Sequence, residues 1–337
     1  MTNSFPLGKL PPEFLATLLA RAPRLDPRIL LGPGAGLDCA VIDLGERLLV
    51  FKSDPITFAI DQIGWYAVQI NANDIATSGA APRWMMATLL LPEGKTTPGL
   101  VEDIFAQVYR AAAELGISVI GGHSEVTYGL DRPILSATLV GEVARERLVT
   151  PRGAQPGDRL LLTKGVPVEG TAILAREFPA RLEQVLTAAE LEEARNYLTH
   201  PGISVTRDAA LAQAAGKVTA MHDPTEGGLA GSLWELADAS GRRLVMDPAR
   251  VPVPELAAKI CRCLGLAPLA TIASGALLLA AAAQDAAAIQ AALESAGILC
   301  AEIGRVEAGE AGVWNEKTGR PLERPARDEI ARLFETP

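Results

Sequence analysis

The chain has 337 residues and a formal net charge of −9. This length allows two domains, each with its own hydrophobic core, and an acidic chain without a block of Lys and Arg argues against nucleic acid and anionic membrane as main partners. Four cysteines and the lack of a signal-peptide pattern at the start lead us to expect a cytoplasmic protein.

The first half of the chain predicts a β-hairpin, two helices and two further strands. The apolar runs CAVIDL and RLLVFKSD flank Gly45 and predict the hairpin. IGWYAVQINANDIATSG predicts a helix, because Val68, Ala72 and Ile75 fall on one stripe. The following elements are the helix VEDIFAQVYRAAAELG, the short strand ISVI and the strand RPILSATLVGEV.

The segment LVTPRGAQPGD, near residues 148–158, is rich in proline and glycine and predicts a linker. We therefore expect an N-terminal domain over residues 1–148 and a C-terminal domain over residues 149–337. Strands and helices interleave on both sides of the linker, which predicts an α/β or α+β fold in each domain. After the linker the predicted elements are RLLLTKG, GTAILAREF, a polar helical stretch over residues 181–199, KVTAM, RRLVMD, PELAAKICRCLG, IASGALLLAAA, QDAAAIQAALESAG and ILCAEIGRV.

The stretch HDPTEGGLAG combines helix-start signals with glycines that a helix does not need. Asp223 predicts an N-cap, Pro224 the first helical residue, and Glu226 a capping box. Gly227 and Gly228 then fall in the first turn, where each costs about 1 kcal/mol relative to alanine. We expect a ligand to approach the backbone there, since a helix N-terminus attracts phosphate. The acids would repel a bare polyphosphate, so a divalent cation is implied.

Acidic and amide side chains gather at four other places. These are Asp38 before a strand, Asp54 at the end of one, Asn71 and Asp74 on one helix face, and Gly121 and Gly122 followed by His123 and Glu125. Each alone has an ordinary explanation as a turn residue, a solvated helix edge or a hydrogen-bonded histidine. Taken together, oxygen ligands from several strand ends and one helix suit Mg²⁺.

Six motifs occur in the order seen in the aminoimidazole-ribonucleotide (AIR) synthase superfamily. They are GLDCAV, KSDPIT, NANDIATSGAAP, VIGGHSEV, PGDRLLLTKG and HDPTEGGLAG. That superfamily also contains thiamine-monophosphate kinase, selenophosphate synthetase and the hydrogenase maturation protein HypE. The chain resembles it over roughly residues 8 to 310 and is most similar to the HypE-like branch.

The resemblance implies a two-domain AIR synthase-like fold, with an N-terminal domain that forms a homodimer through a shared β-barrel and binds ATP near that interface. It implies Mg²⁺ on the ATP phosphates, held by Asp38, Asp54 and Asp74. The implied contacts to nucleotide or substrate are Lys9, Asn71, Gly121, Gly122, Asp223, Thr225, Glu226, Gly227 and Gly228, with a solvated lysine as the alternative for Lys9. His123 and Glu125 are the candidate acid–base residues.

Three departures from the family pattern bear on function. Leu37 stands where the family has the first acid of a pair, and His123 stands where an acid follows Gly-Gly. A neutral imidazole is a poorer Mg²⁺ partner than a carboxylate. HypE carries its reaction on a C-terminal cysteine, whereas the last cysteine here is Cys300 and the sequence ends RLFETP. We therefore do not expect carbamoyl-to-cyano chemistry, and selenophosphate synthesis is disfavoured because the first thirty residues contain no cysteine.

The leading hypothesis is an ATP- and Mg²⁺-dependent enzyme that phosphorylates or activates an oxygen of a small, unidentified substrate through positioning and charge neutralisation. The alternative is a nucleotide-binding assembly factor without chemistry, which docks on another maturation protein; Leu37 and His123 motivate it. A third hypothesis, in which every motif is a cap or a turn, predicts no nucleotide binding.

Overall fold

The chain folds around two six-stranded mixed sheets, one in each half. The structure, a computed structural model, describes residue 5 and residues 10–23, 25–34, 37, 39–57 and 61–334. Two of the predicted site residues, Lys9 and Asp38, therefore lie outside the described residues. None of the helices within those ranges is long and apolar enough to cross a membrane.

The described residues of the N-terminal half form three helices and one sheet. Its elements are α1 (Pro12–Leu19), β1 (Ile29–Leu31), β2 (Ala40–Asp43), β3 (Leu48–Ile56), α2 (Ile63–Thr77), β4 (Ala81–Pro92), α3 (Pro98–Glu114), β5 (Ser118–Thr127) and β6 (Ile134–Val143). The strand order is β1-β2-β3-β6-β4-β5, and within this sheet only β4 and β5 pair in parallel. The predicted hairpin is confirmed as β2 and β3.

Strand alternation gives this sheet one covered and one open face. Along β6 every second residue is buried, among them Leu135 and Leu139, and these residues pack in the core with α2 and α3. The opposite face carries partly exposed apolar residues, since Phe51, Val140 and Trp84 lie in one register row. This apolar row is not covered by any described element of the same core, and the open face is therefore available to a partner.

Up to residue 334, the C-terminal half contains eight α-helices and a second sheet. Its elements are β7 (Arg159–Thr163), α4 (Val168–Glu177), α5 (Pro179–Leu182), α6 (Ala188–Arg195), α7 (Thr206–Ala215), β8 (Val218–His222), α8 (Gly228–Ser240), β9 (Arg243–Met246), α9 (Glu255–Leu264), β10 (Leu278–Ala281), α10 (Ala286–Ser295), β11 (Cys300–Glu307), β12 (Gly312–Asn315) and α11 (Ala331–Phe334). The strand order is β12-β9-β11-β7-β10-β8.

Helices cover both faces of the second sheet. Leu160 and Leu162 of β7 pack in one cluster with residues of α8, whereas Leu161 packs in another cluster with residues of α7 and α10. The alternating side chains of a strand point to opposite faces, so each face has its own core. A strand buried on both faces explains why three consecutive leucines, Leu160 to Leu162, follow one another in β7.

The two halves meet along helix α2. The Asn73 carboxamide donates to Ile203 O at 2.7 Å and accepts from Val205 N at 2.8 Å, and all three groups are buried. The predicted linker contains one short 3-10 turn, Pro151–Gly153, and a second, Arg145–Arg147, lies just before it. The exact division at residue 148 stays a prediction.

Several local predictions were wrong. Helix α8 begins at Gly228 with Gly227 as its N-cap, so Asp223 is not the cap and Pro224 is not the first helical residue. The helix ends at its C-cap Gly241, which has a left-handed φ of 65°. Gly121 lies inside β5 rather than after a strand. The elements that were not predicted include strands β1, β4 and β12 and helices α1, α7 and α11.

Candidate functional site

A lysine bridges two of the predicted metal ligands. Lys52 Nζ lies 3.1 Å from Asp54 Oδ2 and 3.1 Å from Asp74 Oδ2. Strand β3 carries the first two residues on its covered face, and helix α2, which packs against that face, carries Asp74. The Asp54 side chain is 39% exposed and the Asp74 side chain 5% exposed, so the group opens to solvent at Asp54. We call the two acids, Asp54 and Asp74, together with the lysine between them, the lysine-bridged pair.

Asn71 fixes the backbone of this group. Its Oδ1 accepts a hydrogen bond from Asp54 N at 3.0 Å, and its Nδ2 donates to Ala67 O at 2.9 Å. The residue is fully buried. Both polar atoms of the carboxamide are thus engaged within the chain, and we infer that Asn71 positions Asp54 rather than contacting a nucleotide. A solvated helix edge, the ordinary explanation for Asn71 and Asp74, is wrong because both are buried.

The donor set of the lysine-bridged pair fits Mg²⁺. This ion usually takes one or two carboxylates and completes its shell with water and substrate phosphates. Within the described ranges, no group of three or more His, Cys, Asp or Glu side chains is arranged to hold a metal. Asp54 and Asp74 could supply those two carboxylates.

The Gly-Gly motif of β5 lies away from this pair. Gly122 is in register with Asp54 through Ala137 and Ala87, three strands away, which is roughly 14 Å across a sheet. A Cβ on Gly122 would lie 1.9 Å from Ala87 O, so strand pairing itself requires glycine there. At Gly121 a Cβ would meet no atom within 4 Å.

His123 and Glu125 lie on the open face of the sheet at its edge. His123 Nε2 is 3.2 Å from Glu125 Oε2, and both side chains are more than half exposed. In the strand register His123 lies opposite Thr88. Thr88 in turn lies in register with Ser136 and Pro55, whose side chains are on the open face. Within one chain they do not meet the lysine-bridged pair, and their catalytic role stays a prediction.

A second group of acids surrounds the start of helix α8. We call it the buried acid cluster, and it consists of Glu169, Asp223, Glu226 and Asp328. Asp223 is fully buried, Glu169 is 6% exposed, and the other two are half-buried. Burial, followed by the neighbouring acids Asp328, Glu226 and Asp223, raises the pKa of Glu169 to about 7. Burial likewise raises the pKa of Asp328 to about 6.

The chain itself fills the space beside the two glycines of HDPTEGG. Gly227 N donates to Asp328 Oδ2 at 2.7 Å. Gly228 has φ of 59°, donates to Thr225 O at 2.9 Å, and would place a Cβ 2.5 Å from Thr271 O. The backbone at Thr271 occupies the space that a Cβ on Gly228 would need, so packing of the chain itself accounts for this glycine, and its predicted role in ligand approach stays a prediction.

Sequence reasoning missed three residues of these groups: Lys52, Glu169 and Asp328. Lys52 directly precedes the quoted Ser53 and Asp54, and its alternation with Asp54 along a strand was the available signal. The other two reach the cluster from distant segments, and no local pattern marks them. Helix α2 connects both groups: burial and the carboxylate of Glu169 raise the pKa of its Tyr66, while Asp74 lies in its last turn.

Comparisons with known proteins agree with this architecture. Family models match both halves: AIR synthase related protein, N-terminal domain, over residues 36–143, and AIR synthase related protein, C-terminal domain, over residues 155–315. Carbamoyl dehydratase HypE of Rhodobacter capsulatus is 32% identical over 292 residues, which cover 83% of this chain and 82% of the relative.

Two solved structures have the same fold. The hydrogenase maturation protein HypE in complex with ATP is 26% identical, with a TM-score of 0.69 over 92% of this chain and 90% of that one. The HypE–HypF complex contains a chain that is 20% identical, with a TM-score of 0.71 over 85% and 93% of the two chains. The predicted superfamily, the two-domain fold and the assignment to an enzyme class are confirmed. This chain belongs to the AIR synthase related protein family.

Proposed function

We propose that the chain binds ATP at the lysine-bridged pair and uses it to phosphorylate or activate an oxygen of a small substrate. The observation that carries this proposal is that Lys52, Asp54 and Asp74 lie together where helix α2 packs on strand β3. They bring two carboxylates and one ammonium group to one place. The likeness to a HypE structure with bound ATP supports it. In this reaction the substrate oxygen attacks the γ-phosphorus, the bond to the β,γ-bridging oxygen breaks, and ADP leaves.

The residues of the pair would have separate tasks. Asp54 and Asp74 would hold Mg²⁺, which when bound neutralises and orients the phosphates. Lys52 would move from the carboxylates to a phosphate oxygen, where its positive charge stabilises the charge that develops during transfer. Asn71 keeps Asp54 in place through the backbone. Positioning and charge neutralisation are the main contributions that a protein makes to phosphoryl transfer.

We further propose that the acceptor is held near the buried acid cluster. In this cluster, burial raises the pKa of the Glu169 carboxyl to about 7, close to neutral pH. A carboxyl with that pKa can accept a proton from an attacking hydroxyl. Cys300 is unsuited to act as a nucleophile, since it is buried in β11 and burial raises its pKa to about 12.

Titration calorimetry with Mg²⁺ and ATP tests the nucleotide site. We expect an Asp74→Asn variant to bind at least about tenfold more weakly than the wild type, because one anionic ligand is lost. The matched control is Asp103→Asn, an exposed acid on α3, which we expect to bind like the wild type. Equal affinity of the Asp74 variant and the wild type would contradict the assignment.

The alternative is a nucleotide-binding assembly factor that acts through a maturation-protein partner. The fold likeness to the HypE chain of the HypE–HypF complex favours it. The two functions differ in turnover: an assembly factor binds Mg²⁺ and ATP but produces no ADP with any acceptor. Measured ADP release above that of the Asp74→Asn variant supports the enzyme and contradicts the alternative.

We also propose that the open face of the first sheet forms a homodimer. Phe51, Trp84 and Val140 lie in one row of that face, and Met86 beside them is 46% exposed. A second copy of the face would cover these apolar side chains. Sedimentation of a Met86→Asp variant tests this, with a monomer expected; an unchanged dimer would exclude this face as the interface.

A further inference from the structure

The two groups that the proposed reaction needs belong to different halves of the chain. Asp74 lies in α2 of the N-terminal half, and Glu169 lies in α4 of the C-terminal half. Phosphoryl transfer depends on holding the reacting groups in line, so contacts between the halves decide how these two carboxylates are placed relative to each other. Asn73, the neighbour of Asp74 in the sequence, makes such a contact with both ends of its side chain.

Asn73 is bonded across the boundary by both ends of its carboxamide. Its Nδ2 donates to Ile203 O at 2.7 Å, and its Oδ1 accepts from Val205 N at 2.8 Å. All three residues are fully buried, and a buried donor or acceptor that loses its partner is costly. Both bonds therefore resist breaking. We call residues 202–205 the bridging segment.

Lys164 holds the bridging segment from the C-terminal half. Its Nζ donates to Ser204 O at 2.5 Å and lies 3.3 Å from Asp208 Oδ2. The Lys164 side chain is 7% exposed, and Asp208 Oδ2 also accepts from the Thr163 hydroxyl at 2.7 Å. Three successive residues of the bridging segment are thus hydrogen-bonded, the outer two to α2 and the middle one to Lys164. This pattern fixes the segment between the two halves.

The other side of the bridging segment lies against the turn that holds Glu169. Gly275 has φ of 109°, and a Cβ there would lie 2.9 Å from both Gly202 O and Ile203 Cα, so the two backbones pack closely. The preceding residue, Ser274, accepts from Glu169 N at 3.2 Å through its carbonyl oxygen, and its side chain hydrogen-bonds the Glu169 carboxyl. A displacement of the bridging segment would therefore reach Glu169 through two residues.

Apolar packing alone does not set this alignment. Ile203 packs in one cluster with Tyr66 of α2 and Val168 of α4. The hydrophobic effect is non-directional, so such packing holds the halves together but tolerates small sliding. Hydrogen bonds, in contrast, weaken steeply when their geometry changes. The two bonds of Asn73 therefore set the register of the halves, and with it the relative positions of the two carboxylates.

We propose that Asn73 is a positioning residue: through the bridging segment and Ser274, it fixes Glu169 relative to Asp74. This inference rests on the proposed function, in which Asp74 binds Mg²⁺ and nucleotide and Glu169 accepts a proton. Both polar atoms of Asn73 are engaged within the chain, so it acts through the protein rather than on a ligand. Loss of its side chain therefore lowers the rate of phosphoryl transfer without weakening the binding of nucleotide.

Asn73→Ala in the full chain tests the proposal by comparing nucleotide binding with turnover. Calorimetry with Mg²⁺ and a non-hydrolysable ATP analogue measures affinity, and ADP release with water as the acceptor measures turnover. We expect the affinity to stay within about twofold of the wild type and ADP release to fall about 100-fold, since a small misplacement of reacting groups costs that much. An affinity that falls as far as the rate would overturn the proposal, because Asn73 would then act through Asp74. An unchanged rate would also overturn it.

Ser274→Ala acts at the other end of the same path and decides the question if Asn73→Ala does not fold. We expect ADP release to fall about tenfold at unchanged affinity, because Glu169 loses a hydrogen bond that orients it. The double variant should be no slower than Asn73→Ala alone, since residues on one path have non-additive effects. Losses that multiply, or a wild-type rate in Ser274→Ala, would contradict the proposal.

Val313→Ala is the matched control for stability. Val313 is buried in β12, the edge strand at the opposite side of the second sheet from β8, and it lies outside the path. Removal of buried methyl groups destabilises the fold, but ADP release should stay within about twofold of the wild type. Far-UV circular dichroism verifies that each variant is folded. A loss equal to that of Asn73→Ala would mean that stability, not positioning, controls the rate, and the proposal would fail.

Amide hydrogen exchange gives a readout that needs no nucleotide. The Glu169 N–H group is bonded to Ser274 O, so its exchange rate reports whether that contact opens. We expect Asn73→Ala to speed exchange at Glu169 at least about tenfold more than in the interior strand β7, whereas Val313→Ala should speed both equally. A wild type that releases no ADP contradicts the proposed function, and the exchange measurement still decides the role of Asn73: no selective increase at Glu169 would refute it.

Discussion

In the lysine-bridged pair an ammonium group lies 3.1 Å from each of two carboxylates, whereas in the buried acid cluster carboxylates lie beside one another and beside backbone N–H groups. The charges are therefore balanced differently. In the first group a side chain supplies the counter-charge. In the second, Glu169 and Asp328 hold their protons more tightly than free acids do, because burial penalises the charged form.

This difference indicates different chemical roles for the two groups. Two carboxylates and one ammonium sum to −1, and exchange of the ammonium for Mg²⁺ neutralises both carboxylates, so the exchange is electrostatically favourable. A carboxyl with a pKa near 7 can gain or lose a proton at working pH. Metal binding is therefore expected at the first group and proton transfer at the second.

The largest expected effect concerns the backbone that encloses the buried acid cluster. In Gly228→Ala, the new Cβ would lie 2.5 Å from Thr271 O and 2.7 Å from Leu269 O, at a φ of 59°. We expect a loss of about 4 kcal/mol in the free energy of unfolding, measured by urea denaturation. The control Gly94→Ala, with φ of 74° and no atom near its Cβ, should lose about 1 kcal/mol. Equal losses would contradict the close packing of Thr271 and Leu269 against Gly228.

The next effect is the pH dependence that Glu169 imposes. Its folded-state pKa of about 7 lies above the ordinary 4.5, so its contribution to stability is full below about pH 4.5 and is lost as the pH rises through about 7. The shift corresponds to on the order of 3 kcal/mol.

A Glu169→Gln variant should lack that part of the pH dependence. Denaturant unfolding at a series of pH values from 4 to 8 measures it, and the slopes are compared rather than the absolute stabilities. The matched control is Glu114→Gln, an exposed acid, which should keep the wild-type slope. If Glu169→Gln and the wild type lose stability in parallel, the carboxyl of Glu169 is not the titrating group.

The smallest effect concerns the lysine-bridged pair, which is partly open to solvent. Lys52→Met leaves Asp54 and Asp74 facing each other without the ammonium, and we expect a loss of about 2 kcal/mol in the absence of Mg²⁺. Added Mg²⁺ should restore most of that loss, because the ion replaces the missing charge. Lys95→Met removes an exposed ion pair with Asp131 and should change stability by less than about 0.5 kcal/mol. A loss that Mg²⁺ does not reduce would contradict metal binding by these two acids.

Local patterns were enough to predict the order of most elements. The hairpin follows from two apolar runs around Gly45, and α2 follows from its apolar stripe. Tertiary contacts decided the rest. Asp223 has the residue type of an N-cap, but it is buried ahead of α8, and the left-handed Gly227 caps that helix instead.

The candidate site was predicted where its residues lie close in sequence and on adjacent elements. Asp54 and Asp74 belong to a strand and to the helix that packs on it, so their convergence could be anticipated. Glu169 and Asp328 come from distant segments, and only tertiary packing brings them together near the start of α8. Pairing between strands likewise decided that Gly122 continues β5.

The most direct test of the account is a crystal structure with a non-hydrolysable ATP analogue and Mg²⁺. We expect the ion between the carboxylates of Asp54 and Asp74 and the terminal phosphate, with Lys52 Nζ moved from the carboxylates to a phosphate oxygen. The contradicting result is an analogue bound elsewhere while Lys52 still bridges both acids.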